Sequence, residues 1–329
     1  MKQLKCFISL LLLAMIVSPV YSQPYEYTKT VLFSLEWGDE DQQVGFKDGN
    51  AIGNFPKAGP SDFTVTSNGF IVVYDTVQNS IKFFDKDGIL INKYVQKEHV
   101  GIEGFLTCDA SDNIWYHDAL HHRVYRFSYQ GDLIYTISYE SDVIYGNIVI
   151  VNDKPVMSVN MMLDHWIKYL DKGFDNKLEY KAQLIDTDTT SIYNYNRGRF
   201  SNRIYSMINL DISDEGDIIL PQLSINGELV SEVGFEDVII KKYSIFYRNE
   251  DKYGHYYLYL FPRYQEDVYP YLYKYNMNNE LVAMIELPRT PQKYGFASDP
   301  VYINSNGDIY YMELRDEAVT FYMWSLQEG

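Results

Sequence analysis

The sequence predicts an all-β fold, a six-bladed β-propeller closed by an N-terminal strand. Three observations predict it. First, one segment returns at a fixed interval. Phe70–Gly88 reads FIVVYDTVQNSIKFFDKDG; shifted by 43 residues, Asn113–Gly131 reads NIWYHDALHHRVYRFSYQG; shifted by 43 again, Val156–Phe174 reads VMSVNMMLDHWIKYLDKGF. Copies of one supersecondary unit at this period are the mark of a propeller. Second, each copy divides into four short β-type runs separated by turn residues. Third, the last unit (Pro300–Ile303, Asp308–Met312, Thr320–Trp324) lacks a fourth strand, while Lys29–Trp37, KTVLFSLEW, has no other home. Joining the two closes the ring and removes sheet edges that would invite aggregation.

The elements follow in order. Lys2 and Lys5, the apolar run Phe7–Val17 and the small residues near Ser22 read as a secretory signal peptide over residues 1–22, leaving one domain over 23–329. The apolar run is shorter than the ~20 residues a spanning helix needs, and Cys6 precedes it, so it is not a lipid-carrying cysteine. No membrane insertion is expected of the mature chain, which should be secreted or periplasmic. Cys108 is then the sole remaining cysteine and reads as a buried structural thiol.

The first unit should contain strands Asp62–Thr66, Phe70–Tyr74, Ser80–Phe84 and Ile89–Tyr94. Ser67-Asn68-Gly69 and Asp85-Lys86-Asp87-Gly88 supply the positive φ angles of tight hairpins. The second repeats this at Phe105–Asp109, Asn113–His117, Arg123–Phe127 and Leu133–Ser138, and the third spans Asn147 to Lys181. Over Ala182–Asp237 only Ser206–Ile212 and Asp217–Gln222 are clear strands, with a further hairpin around Asn226-Gly227. Counted as a degenerate blade, this segment makes six; five or seven blades remain open. Ile240–Arg248, His255–Phe261, Tyr271–Tyr275 and Glu280–Leu287 form the next four, with a loop at Pro262–Pro270.

The unit around Asp75 resembles the NHL repeat of six-bladed propellers. There a strand ends in Asp, a short loop carries Asn, and Arg-Ile opens the next strand before an aromatic-Asp-x-x-Gly turn. Asp75, Asn79, Ile81, Phe84, Asp85 and Gly88 match, with Ser80 in place of the Arg. Asp118, Arg123, Val124, Phe127 and Gly131 match in the second unit, with His122 in place of the Asn. The third unit matches at Ile167 and Asp171 alone. The resemblance implies a fold shared by binding scaffolds, lactonases and lyases, and singles out no activity.

Composition excludes some partners. The formal charge is -17, which repels nucleic-acid backbones and anionic membranes. The 32 tyrosines suit half-buried pleated surfaces, and no Asn-x-Ser/Thr acceptor occurs. There is no G-x-S-x-G, H-E-x-x-H, paired C-x-x-C or phosphate-binding glycine loop. Arg197, Arg199 and Arg203 form one basic cluster that reads as a solvated loop. The run Tyr256–Phe261 reads as a strand packed between blades, and Asp85–Gly88 as a hairpin turn rather than a calcium loop.

In a propeller the loops joining strands two and three share a face with the blade junctions. That face should carry Asp75, Asn79, His99, Glu103, His117, Asp118, His121, His122, Asp164 and His165. His122 and His165 stand at the repeat position that Asn79 holds in the first unit. Two readings compete. Histidines and carboxylates from several blades could converge on Zn or Ca; or each could cap the backbone of its own loop, as Asp75 and Asp118 are expected to do. The expected function is an exported, non-catalytic binding protein, monomeric and without cofactor, whose loop-rich face takes a protein, peptide or glycan. The alternative is a metal-assisted lactonase- or lyase-like enzyme. A structural element of the cell envelope is a third possibility.

Overall fold

The computed structural model describes residues 26–47, 59–96, 104–118, 120–138, 144–151, 154–161, 164–169, 180–182, 203–205, 211–212, 218–224, 229–235, 243–262, 269–289 and 300–327. Side chains are described outside 144–235, 244 and 246–249. The proposed signal peptide, His99, Glu103 and the basic cluster before Arg203 lie outside the described residues.

The described chain is all strand, without a helix. It is a β-propeller built from antiparallel four-stranded sheets. The first blade is β2 (Asp62–Val65), β3 (Ile71–Asp75), β4 (Ser80–Phe84) and β5 (Leu90–Val95). The second is β6 (Gly104–Cys108), β7 (Ile114–Asp118), β8 (Arg123–Phe127) and β9 (Leu133–Ser138). These bounds fall within a residue or so of those read from the 43-residue repeat. The next sheet is β10 (Ile144–Val151), β11 (Lys154–Met161), β12 (Asp164–Tyr169) and β13 (Tyr180–Ala182).

The segment that was hardest to read forms β14 (Arg203–Tyr205), β15 (Asp211–Ile212), β16 (Ile218–Ser224) and β17 (Leu229–Phe235). β17 runs along one edge of β16, so β14 and β15, which pair with its two ends, must share the other edge. This sheet therefore has four strands in three positions. β16 and β17 pair antiparallel from Ile218↔Phe235 to Leu223↔Leu229, and the expected turn at Asn226-Gly227 lies outside the described residues.

A regular blade follows: β18 (Tyr243–Glu250), β19 (Tyr256–Pro262), β20 (Tyr271–Tyr275) and β21 (Leu281–Glu286). The closing blade contains β22 (Val301–Ile303), β23 (Ile309–Leu314), β24 (Ala318–Leu326) and, as its outer strand, β1 (Tyr27–Glu36). β1 pairs antiparallel with β24 from Tyr27↔Leu326 to Glu36↔Ala318, with a bulge between Val31 and Phe33. The two ends of the chain thus complete one sheet.

The inner strands lie side by side: β22 beside β18 and β2, β2 beside β6, and β6 beside β10. Because strand side chains alternate, each blade faces two neighbours. Ile71, Val73 and Phe84 face the closing blade, where they pack with Tyr302, Met312, Leu314 and Phe321. Val72, Tyr74, Ile81 and Phe83 face the second blade, against Leu106, Tyr116, Tyr125 and Phe127. Aromatic pairs bridge that interface, Phe83–Phe127 at 5.8 Å and Tyr74–Tyr116 at 5.0 Å between ring centroids. Each such pair contributes about 0.5–1.5 kcal/mol beyond area burial. Cys108 is buried in the same cluster, its thiol 3.5 Å from the Asp109 carbonyl.

The turns explain much of the sequence pattern. Asp85, Asp109, Asp251, Asn276 and Asn304 each accept two backbone N–H groups on one side-chain oxygen, from residues two and four further on. Asp85–Gly88 is therefore a hairpin turn. Gly88 closes it at φ +79°, and a Cβ there would sit 2.6 Å from the Phe33 ring of the closing strand. The position needs glycine twice over: for its left-handed backbone and for the close approach.

Candidate functional site

The face carrying the loops between strands two and three is described best on the first and second blades. Register shows how its loops are built. Asp75 pairs with Ser80 and Asp118 with Arg123, leaving the four-residue turns 76–79 and 119–122. The third copy differs. Met161 pairs with Asp164 and Asn160 with His165, so only two residues separate the strands. Asp164 and His165 thus belong to strand β12, not to a loop as the 43-residue alignment placed them. Extending both strands by one residue shortens the turn while keeping the repeat length.

Asp75 is fully buried. Its Oδ1 accepts from the Gln78 N–H at 3.0 Å, its Oδ2 accepts from the Gly45 N–H at 2.8 Å, and Lys82 Nζ lies 3.2 Å from Oδ2. Asp118 is likewise buried. It accepts from the His121 N–H at 3.0 Å and holds the His121 ring at Nδ1, 2.9 Å from its Oδ2. Both aspartates therefore cap their own turns at the same offset, three residues on, which is the structural role expected of them. The closing blade offers Glu313 near the end of its second strand. Glu313 accepts from Arg315 Nε and from the Tyr322 hydroxyl, both at 2.7 Å.

Asn79 and His122 share more than a repeat position. Both adopt left-handed backbone, φ 50° and 53°. Asn and His are among the few side-chain-bearing residues enriched in that region. Asn79 also donates Nδ2 to the Gln96 carbonyl at 3.1 Å, tying the turn to the chain leaving the blade. The backbone of the turn accounts for the alternation of Asn and His at this position without a ligand.

His117 lies inside β7 and is 1% exposed. Burial, with the charge of nearby His122 as a lesser cause, pushes its imidazole down to about 4 from the usual 6.5. It is a neutral core histidine at physiological pH. In the interface between the first two blades, burial raises the Tyr74 hydroxyl to about 12 and also raises Tyr116.

Both turns reach solvent: residues 76–79 are partly exposed, as are His121 and His122, and Leu120 at the tip of the second-blade loop is 56% exposed. Among the described residues no group of three or more His, Cys, Asp or Glu side chains is arranged to hold a metal ion. The structure brings Asp118, His121 and His122 together on one turn with His117 beneath, and keeps Asp75 apart under the N-terminal segment. Sequence reasoning did not single out Lys82 and Lys274, two buried lysines on third strands of their blades.

No protein-family model matches the chain, and no curated protein matches it. Among solved structures it is similar to a streptogramin B lyase (11% identity, TM-score 0.49, 92% of this chain and 98% of that chain). It is similar also to a catalytically inactive virginiamycin B lyase from Staphylococcus aureus with quinupristin (10% identity, TM-score 0.45, 92% and 100% covered). A member of the DUF4221 family from Bacteroides vulgatus is similar as well (9% identity, TM-score 0.48, 93% and 100% covered). At these values the likeness carries no chemistry across to this chain.

Proposed function

We propose that the chain is an exported, non-catalytic recognition protein. Its scaffold is a closed ring of six NHL-like blades, and its loop-rich face takes a protein, peptide or glycan ligand. Six sheets in chain order, with the first strand completing the last, support the ring. The aspartate-capped turns at Asp75 and Asp118 support the NHL-like plan.

One observation carries the functional reading. The buried carboxylates at the ends of second strands, Asp75, Asp118 and Glu313, all direct their oxygens at groups of the protein itself. A general acid or base must instead lie within hydrogen-bond reach of a substrate. The groups on the surface of that loop, Leu120 with His121 and His122, are of the kind that make contacts: one apolar anchor beside polar donors. The net charge of -17 directs the choice of ligand towards neutral or cationic groups.

The metal-assisted lactonase- or lyase-like reading has one observation in its favour. A carboxylate holding Nδ1 of a histidine, as Asp118 holds His121, is the arrangement that orients metal-ligating imidazoles. Zn or Ca would then require further ligands from His99, Glu103, Asp164 or His165.

The test screens the mature protein against peptide and glycan arrays, and repeats every hit with Leu120→Asp and His121→Ala variants. Loss of the hits at unchanged melting temperature supports recognition through this face. Hits indifferent to both substitutions overturn it. Elemental analysis after dialysis decides the alternative. Stoichiometric Zn or Ca, lost on mutating His122 or His165, would establish the enzyme reading in its place.

A further inference from the structure

Two lysines sit deep in the protein, each on the third strand of its blade: Lys82 on β4 and Lys274 on β20. Both are next to a buried aspartate, Lys82 to Asp75 at 3.2 Å and Lys274 to Asp251 at 3.4 Å. Burial lowers the pKa of both ammonium groups, opposed by the charge of the aspartate. A buried ion pair of this kind needs further hydrogen bonds to hold its remaining protons and lone pairs.

Asp251 is also held by Tyr253, His255 and Tyr257 of its own blade and Asp75 by Gln78, but each pair takes a further bond from one shared segment. Lys82 Nζ donates to the Gln43 carbonyl, and the Gly45 N–H donates to Asp75 Oδ2 at 2.8 Å. Lys274 Nζ donates to the Tyr27 hydroxyl at 3.1 Å, with the Tyr27 ring centroid 5.6 Å away. Tyr27 opens β1, and Gln43 and Gly45 follow its end. Between the two anchors, β1 pairs with β24, and the Trp37 indole donates to the Arg315 carbonyl at 2.9 Å. Val44, in the same segment, is fully buried in the core between the closing and first blades. At Gly45 a Cβ would meet Val77 at 2.6 Å and Asp75 Oδ1 at 2.9 Å, so the backbone reaches the ion pair only because it is glycine.

We infer that residues 27–46 form a strap latched at both ends. Lys274 holds its start to the β18–β21 blade, and Lys82 with Asp75 holds its end to the first blade. Closure therefore joins three blades. An open ring leaves each buried ammonium short of an acceptor, so opening is penalised at two sites that do not touch one another. The strand partner of the strap is β24, paired with it from Leu326 to Ala318. The latch is set only when β24 is available, and it makes the closed ring the state in which both ion pairs are satisfied.

Hydrogen exchange of the mature chain, read by mass spectrometry, tests this. Lys82→Met is expected to speed exchange at 38–46 about tenfold, the loss of one hydrogen bond to a charged group, with little change at 27–31. Tyr27→Phe, which keeps the ring and the Lys274–Asp251 pair, is expected to do the reverse. Gly45→Ala serves as a second probe of the first anchor should Lys82→Met not fold. Protection in β7 and β8 should stay as in the parent protein. Unchanged exchange throughout the strap would overturn the latch. So would acceleration spread equally over β7 and β8, which would make the lysines general stabilisers.

Discussion

Lowering the pH from neutrality towards 5 tests one buried side chain, His117. Its imidazole is held neutral by burial, with a folded-state pKa of about 4 against 6.5 for a free histidine. The unfolded chain therefore binds a proton that the folded chain refuses. Stability contributed by the neutral form is complete above about pH 6.5. It falls as the pH drops from there towards 4, and levels off once both states are protonated. A shift of one unit corresponds to about 1.4 kcal/mol, so the full effect is about 3 kcal/mol. By pH 5 the loss is already about 2 kcal/mol.

Urea unfolding at about pH 7.5 and pH 5 measures it, with the parent protein compared against His117→Gln, which cannot titrate. The parent should lose about 2 kcal/mol more than the variant between the two conditions. Groups that titrate in both proteins cancel in the comparison with the variant. Asp251 desolvates on burial, yet the His255 hydrogen bond and the Lys274 charge hold its pKa below 3.8, so its contribution is lost at more acid pH. The sequence pI is about 4.7, so light scattering should confirm that the sample at pH 5 is not associating. An equal loss of stability in His117→Gln would show that the histidine is not the buried, neutral group described, and the reasoning would fail.

Other outcomes follow from single contacts. Asp118→Asn keeps the shape but weakens the cap on the His121 N–H and the hold on its ring, and should lower unfolding stability by about 1–3 kcal/mol. His122→Gly should leave stability unchanged or raise it by up to about 1 kcal/mol, because the left-handed backbone suits glycine better, whereas a metal-ligating histidine would lose its metal. Gly88→Ala should lower the melting temperature and loosen β1, since the added methyl meets the Phe33 ring at a positive φ; an unchanged melting temperature would argue against the pairing of β1 beside this turn.

Much of the scaffold was legible because the turns repeat. A carboxylate or amide that accepts two N–H groups marks a hairpin wherever it recurs: Asp85 reads as one from the sequence, and Asp109 and Asn276 prove to form the same turn. The closing strand was legible by elimination, since a three-stranded last unit and an unassigned first strand have one economical solution. The β14–β17 sheet was not, because β14 and β15 are short pieces sharing one edge of β16, and no alternation survives in two or three residues. The buried lysines were hidden for a related reason. In Ser80-Ile81-Lys82-Phe83-Phe84, Lys82 occupies an ordinary polar position, and its partners Asp75, Gln43 and Gly45 lie elsewhere in the sequence, where no local pattern links them to it.

The histidines show where a repeat argument stops. Aligning Asn79, His122 and His165 at equal spacing suggested one converging set. In the structure the spacing has two different causes. Asn79 and His122 are the left-handed residues of four-residue turns, a backbone requirement that Asn meets well and His meets tolerably. His165 is a strand residue paired with Asn160, because the third hairpin turns in two residues. Equal spacing fixes where a residue falls along the chain, but a turn shortened by two residues moves the same repeat position from the loop into the sheet. The candidate face therefore rests on the second-blade turn, where Asp118 fixes His121 and leaves Leu120 outermost, and substitutions there discriminate between recognition and catalysis better than any taken from the periodicity alone.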